Sequence, residues 1–360
     1  MAAADVAEAD ALVVRSVTRV DAALLSGSRV RFVGTATSGT DHVDTAWLAA
    51  NGIVLADAAG CNSVTVAEYV LTAILILARR LGFDPSSKTL GVVGVGRIGS
   101  IVASWAEAAG MRVLKCDPPL QRRNAGGYID FPQLAAEADI VTLHVPLTRQ
   151  GPDATGGMVD ADWLGMLKEG AILLNTSRGE VVGEGALLAA MESGRVGPVV
   201  LDVWCHEPDI DRGLALGAAL ATPHVAGYSV ESKRRAAWMI AEALARLDPR
   251  SSPAATGNGA GFCEAGAADA VIDMAVSVHG PWWIAAGEAV SQACRIEPTD
   301  AELRAMMRSG AGARSFDEIR RRFSVRREFS AYRLAGLRAP NRCVSWLRAV
   351  GFDWTPASLG

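Results

Sequence analysis

The chain has no large excess of charge of either sign. Its 35 Lys and Arg against 39 Asp and Glu leave a net charge of -4 over 360 residues. That balance argues against a general nucleic-acid binder or a polybasic membrane-surface protein. Paired cysteines are missing too. Cys61, Cys116, Cys205, Cys263, Cys294 and Cys343 are scattered without a C-x-x-C pair. Neither a disulfide framework nor a thiolate metal site is indicated, and a reducing cytoplasm is the expected compartment. No hydrophobic run is long enough for a bilayer, since Tyr69 to Ala78 is about half of the ~20 residues a span requires. The opening MAAADVAEAD has neither the basic nor the apolar region of a signal peptide. What remains is ordinary for a soluble globular enzyme: 50% hydrophobic and 21% charged residues, in a chain long enough for two or three domains.

Valine-rich runs at 11–14 and 30–33 have strand character, and 40–52 reads as a helix closed by Gly52 before the strand IVLAD. Residues 63–82 form a long helix, apolar nearly all round, which must be buried on most sides, as expected of a helix between two domains. From Lys88 strands and helices alternate regularly. TLGVVGV, IGSIVASWAEAAG and MRVLKCD make one βαβ unit; ADIVTLHVP, AILLNTS and GPVVLDVW add buried strands, with helices near 160–168 and 183–194. After His224 an amphipathic helix of about five turns runs to Leu247. A Pro-, Gly-, Ser- and Ala-rich stretch at 249–268 reads as a linker. Beyond it lie PWWIAAG, an acidic turn at Pro298–Asp300 and the charged SFDEIRRRFSVRREFSAYRL, with no repeat period.

LGVVGVGRIGS sets Gly94, Gly96 and Gly99 in the pattern G-x-G-x-x-G, with Arg97 and Ile98 between the last two, after an apolar strand and at a helix start. Gly94 permits the tight turn, Gly96 lets backbone approach a pyrophosphate, and Gly99 lets the helix pack on the strand. Free N–H groups and the positive end of the helix then face the phosphates. The pattern also occurs in plain strand–helix turns. Context favours a nucleotide, because the next strand ends in Asp117, 23 residues after Gly94, where a carboxylate can accept from ribose hydroxyls and would repel a 2′-phosphate. NAD is therefore expected rather than NADP, with Arg122 and Arg123 nearby as a counter-indication.

Three stretches downstream, NTSRG, LDVWCHEP and ATPHVAGY, each carry a strand or its approach into a polar turn, and they present Arg178, Glu207 and His224. Alone, each reads as a solvated or structural turn residue. Together, at the carboxyl ends of strands of one parallel sheet, they supply a planar fork for a carboxylate and an imidazole beside a carboxylate. A carboxylate raises and orients its histidine for proton transfer near neutral pH. That suits a 2-hydroxy acid losing a hydroxyl proton as a hydride departs. His206 is the rival imidazole.

With these residues the chain resembles the D-isomer-specific 2-hydroxyacid dehydrogenases. More closely, it resembles a branch that acts on a phosphorylated hydroxy acid and carries an extra C-terminal dimerisation domain. ADALVVRSVTRVD, FVGTATSGTDHVD, GCNSVTVAEYV, CDPP, HVAGYSVESK and FDEIRRRFSVRREFS carry that likeness. It implies an α/β protein: a Rossmann-type doubly wound parallel sheet, a flavodoxin-like substrate domain and a small α+β C-terminal domain. The expected bounds are 1–82 completed by 228–248 for the substrate domain, 83–227 for the NAD domain, 249–269 for a linker and 270–360 for homodimerisation. It further implies Arg178 on the substrate carboxylate, Glu207 as partner of the histidine and His224 as proton donor and acceptor. Asp117, Val145, Thr176, Ser177, Arg178, Asp202 and Gly227 would line the NAD site, and Ser16, Thr37 and Tyr228 would contact substrate. Arg15 reads equally as a phosphate partner or a solvated strand-end residue.

Some positions depart from that pattern. Against the family pattern, about 30 residues of an opening strand and helix are not matched, which would leave an exposed sheet edge or a cavity in the first domain. Cys205-His206 replaces an acidic-glycine pair, Val145 a threonine, and Ser232 a glycine. Two other readings stay open: a dehydrogenase for phosphoglycerate or glyoxylate, and a non-catalytic NAD-binding interaction protein. RRRFSVRRE reads as a solvated helix face at a dimer edge, with nucleic acid as its alternative.

Overall fold

The computed structural model describes residues 1–123, 126–247, 271–276, 280–310, 312–323, 325–335 and 340–355. The expected linker at 249–269 lies outside them. The chain forms two compact units, Met1–Asn62 with Val230–Ala270, and Ser63–Ser229 with Val271–Gly360.

In the first unit, β1 (Ala11–Val14), β2 (Phe32–Thr35) and β3 (Val54–Asp57) form a parallel sheet in the order β1-β2-β3. Central β2 is buried along its length, whereas edge strand β1 alternates and leaves Val13 53% exposed. Leu12, Val14, Val33 and Leu48 fill one face. On the other, Phe32 packs with Ala236 and Ile240 of the helix Val230–Leu247. Gly34 permits that approach, because a Cβ there would stand 2.4 Å from Ile240 Cγ2. The helix expected at 40–52 spans Thr45–Ala50. Asp44 opens it by accepting from the Trp47 N–H at 2.9 Å, and Gly52 closes it at φ +66°.

The second unit is built on a six-stranded parallel sheet in the order β5-β4-β6-β7-β8-β9. The strands are β4 (Thr89–Val93), β5 (Arg112–Cys116), β6 (Ile140–Leu143), β7 (Ile172–Asn175), β8 (Val199–Leu201) and β9 (Leu220–Ala221). Because β4 pairs with β5 on one side and β6 on the other, strand order reverses there, and the Gly94 turn emerges at that switch point. A second parallel sheet, β10-β11-β12, joins Ile272–Ala275, Tyr332–Ala335 and Asp353–Thr355.

The expected domain bounds shift in two places. The helix Ser63–Leu81 belongs to the second unit, not the first. Its buried face from Thr65 to Ala78 shares one apolar cluster with Leu90, Val102 and Ala106 and with the helix Trp282–Cys294. An all-round apolar helix needs such cover, and the C-terminal block supplies it. For the same reason that block is no separate body: it packs within the second unit.

The acidic turn at Pro298–Asp300 is instead the first part of the helix Ile296–Ser309, where a proline without N–H is tolerated. Asp300 Oδ1 accepts from the Ala221 N–H of β9 at 2.8 Å and pairs with Arg304 at 2.9 Å. Nor is the basic segment a uniformly solvated face, since Arg326 and Glu328 are 4% and 3% exposed. Among the described residues no helix is long and apolar enough to cross a membrane, and no cluster of His, Cys, Asp and Glu could hold a metal.

Candidate active site

The Gly94 turn is shaped by close backbone approach. Gly94 sits at φ +83°, and a Cβ there would meet the His144 carbonyl at 2.8 Å and Val145 Cγ1 at 2.9 Å. A Cβ on Gly99 would stand 2.0 Å from the Gly94 oxygen, so the helix Arg97–Ala108 can start there only on glycine. Gly96 caps that helix with no side-chain bond, and a Cβ there would meet nothing within 4 Å. The helix thus opens without a side-chain cap and with space beside Gly96, which suits a pyrophosphate at its N-terminus. Asp117 follows β5 and accepts from the Val95 N–H at 2.8 Å and the Leu120 N–H at 3.0 Å, which ties it to the same turn. Arg122, the counter-indication, is paired with Asp153. These residues fit a dinucleotide with an unmodified ribose.

β7 delivers NTSRG. Asn175 Oδ1 accepts from the Ser177 N–H and hydroxyl at 3.0 and 2.8 Å, and its amide donates to the Arg178 carbonyl at 2.9 Å. Arg178 in turn donates from Nη1 to the Ser177 carbonyl at 2.8 Å. Gly179 lets this turn lie against Trp204, because a Cβ would fall 2.0 Å from the Trp204 carbonyl carbon. The two turns are thus held backbone to backbone. Thr176 Oγ1 is buried without a partner among the described residues.

Glu207 and His224 meet. Glu207 Oε2 lies 2.8 Å from His224 Nδ1, and Oε1 accepts from the Trp204 N–H at 3.0 Å. Burial alone would raise the Glu207 carboxyl; His224, the Trp204 N–H and the more distant charge of Arg320 outweigh it and hold the pKa below its ordinary value of 4.5. His224 is held in the left-handed region at φ 54°, a strained conformation for a non-glycine residue. Asp202 secures it. Its oxygens accept from the Thr222 hydroxyl at 2.6 Å, the Val225 N–H at 2.8 Å and the Ala226 N–H at 2.8 Å, while the His224 N–H donates to the Asp202 carbonyl. Burial pushes the Asp202 carboxyl up, opposed by His224 and these donors. Tyr69 extends the chain, its hydroxyl 2.5 Å from Thr222 Oγ1.

The remaining expected residues are placed as follows. Arg97 is exposed, and Ile98 and Val145 are half-buried around the Gly94 turn. Gly227 and Tyr228 continue the His224 turn. Ser16 is an exposed turn residue of the first unit; there too, Thr37 lies 2.6 Å from Thr35 Oγ1 and donates to the Gly39 carbonyl. The rival His206 is exposed beside Glu207, at φ 59°. Sequence reasoning missed Tyr69 and Thr222, whose buried hydroxyls carry no motif. It also missed Arg320, which donates to the Tyr228 hydroxyl at 2.8 Å from within the segment read as a solvated face.

The D-isomer specific 2-hydroxyacid dehydrogenase NAD binding domain matches residues 76–226. Erythronate-4-phosphate dehydrogenase of Aeromonas hydrophila is 52% identical over 251 residues, 68% of this chain and 66% of that protein, slightly under two thirds of its length. The enzyme of that name from Marinobacter nauticus is 41% identical across 96% of this chain and 90% of its own. The chain belongs to the erythronate-4-phosphate dehydrogenase family. Among solved structures, Aquifex aeolicus D-lactate dehydrogenase with NAD and lactic acid aligns with a TM-score of 0.58 at 26% identity, covering 70% of this chain and 87% of that one. Staphylococcus aureus NAD-dependent formate dehydrogenase with NAD aligns at 0.60 and 25% identity, covering 69% and 82%. The expected α/β class with a Rossmann-type NAD-binding domain is borne out.

Proposed function

We propose that the chain catalyses the NAD-dependent oxidation of 4-phospho-D-erythronate to (R)-3-hydroxy-2-oxo-4-phosphooxybutanoate, a step toward pyridoxal 5′-phosphate. The observation that carries this reading is the 2.8 Å pair of His224 and Glu207 beside the Gly94 turn's sheet, together with the named relatives. With Nδ1 engaged by Glu207, His224 offers Nε2 to the C2 hydroxyl and takes its proton as the C2–O bond becomes a carbonyl. Glu207 stabilises the imidazolium that results and fixes the ring. Arg178 holds the C1 carboxylate in a planar fork and so aims C2. Gly94, Gly96, Arg97, Ile98, Gly99, Asp117, Val145, Thr176, Ser177, Asp202 and Gly227 are the residues we assign to NAD. When bound, NAD supplies the acceptor for the hydride leaving C2.

Ser16, Thr37 and Tyr228 are assigned to substrate contact on the resemblance alone, and homodimerisation through 270–360 likewise. A reducing cytoplasmic setting agrees with free thiols at Cys116, Cys205, Cys294 and Cys343. The test is NADH formation, followed by absorbance, with 4-phospho-D-erythronate beside 3-phosphoglycerate and glyoxylate. The phosphorylated four-carbon acid should give the highest kcat/KM. A clear preference for another acid would overturn the substrate, and NAD binding without any reduction would overturn the enzyme.

A further inference from the structure

Arg320 stands on the helix Ala313–Phe323, whose buried Phe316, Ile319 and Phe323 turn it into the second unit. The guanidinium lies over the Tyr228 ring, 5.4 Å from its centroid, and Nη2 donates to the Tyr228 hydroxyl at 2.8 Å. Tyr228 is four residues beyond His224. The charge on Arg320 also reaches Glu207, where it helps keep that carboxyl ionised. A cation from the C-terminal block therefore stands at the rim of the proposed proton-transfer pair.

That cation is only weakly compensated. Its carboxylate partner, Asp317, is one turn back at 3.3 Å and 49% exposed, so the pair is loose and solvent-screened. The Tyr228 contact is to a neutral oxygen. Nε is buried and has no hydrogen-bond partner among the described residues. A guanidinium 15% exposed with an unused donor is an incomplete arrangement, which a planar or tetrahedral oxyanion would complete through a charge-assisted bond.

We propose that Arg320 is a specificity-determining residue, seating the second anionic group of the substrate, a phosphate monoester, beside Tyr228. This rests on the reading that the chain oxidises a 2-hydroxy acid at His224, and it adds the reason a phosphorylated acid is chosen over its plain counterpart. Arg178 reads the carboxylate at one end, and Arg320 reads the charge at the other.

The test compares the full chain with Arg320→Gln and Arg320→Lys on two pairs of acids that differ only by phosphate: 4-phospho-D-erythronate with D-erythronate, and 3-phospho-D-glycerate with D-glycerate. Arg320→Gln should raise KM for the phosphorylated member about 10- to 100-fold, the range for a bond to a charged group, and lower the phosphorylated-to-plain ratio of kcat/KM by the same factor, beyond any loss that both members share through Glu207. Arg320→Lys should recover part of the loss. Inorganic phosphate should raise the unfolding temperature of the unaltered chain and not that of Arg320→Gln. An equal loss for both members of a pair, an unchanged ratio, or no phosphate-induced rise in the unaltered chain overturns the proposal. Turnover of the glycerate pair alone would refute the four-carbon substrate while leaving Arg320 to be judged on that pair. If neither pair reacts, the phosphate-induced rise decides. If Arg320→Gln does not fold, the same comparisons with Arg320→Lys decide.

Discussion

Arg326 closes on Glu68 at 2.6 Å with each side chain 1% exposed, although 258 residues separate them in the chain. Glu68 also accepts the Phe329 N–H at 2.6 Å, and Arg326 donates to the Thr65 carbonyl at 3.2 Å. Both Glu68 oxygens and both terminal nitrogens of Arg326 thereby have partners, which favours the persistence of a buried ion pair, while Arg326 Nε has none among the described residues. The C-terminal block is bolted to the long apolar helix at this point, and to the helix Arg97–Ala108 by the Trp346 indole donating to the Trp105 carbonyl at 3.0 Å.

Replacing Arg326 by Met should therefore destabilise the chain by about 3–5 kcal/mol, because Glu68 is left charged and buried with no cation. Urea unfolding of the variant would measure it. Converting Glu68 to Gln in the same chain should return part of the loss, since the orphaned charge is then gone. A single variant within about 1 kcal/mol of the parent would show that the pair is dispensable.

His224→Ala should lower kcat about 10²- to 10⁴-fold, the usual share of general acid–base catalysis, while NAD binding followed by fluorescence stays intact. Glu207→Gln keeps a side chain of similar shape but loses the charge that steadies the imidazolium, so it should also slow turnover. Turnover of His224→Ala equal to that of the parent would remove His224 from the mechanism.

Much of this arrangement was legible in the sequence because it is local. The Gly94–Gly99 turn, the strands before Asp117 and Arg178, and the capped helix after Asp44 are each specified by residues within a few positions of one another. The meeting of Glu207 and His224 was legible by a different route: parallel strands deliver their following turns to one end of a sheet, so distant motifs converge. What could not be read depends on long-range pairing without a motif. Glu68 lies in a helix that looks uniformly apolar, and Arg326 in a segment that looks uniformly charged; only the fold shows that each neutralises the other. Pro298 misled for a local reason, since a proline marks a turn and a helix start equally well.

Acid should weaken the fold in a defined window. Burial lowers the His144 pKa from 6.5 to about 3, and its Nδ1 is enclosed without a partner among the described residues. The folded state therefore binds this proton more weakly than the unfolded chain. The contribution to stability is full above 6.5 and is lost as pH falls toward about 3. Glu207, also depressed, adds a loss of the same sign that begins below 4.5. Denaturant midpoints measured from neutral pH downward should fall less steeply for His144→Gln than for the parent. Parallel curves would mean that His144 titrates normally in the folded chain.

The two histidines at positive φ invite a direct comparison. His206 is exposed at φ 59°, a conformation that glycine adopts freely, and it pays a left-handed penalty of about 1–2 kcal/mol that glycine does not. His206→Gly relieves that strain and loses about 0.5–1 kcal/mol to the freer unfolded chain, so it should be neutral to about 1 kcal/mol more stable. His206→Ala keeps the strained Cβ and should show no gain. Turnover should be unchanged in both, because the imidazole engaged by Glu207 is that of His224. If His206→Gly instead lost activity on the scale expected for His224→Ala, the proton would belong to His206, and the strain at that position would be the signature of the active residue.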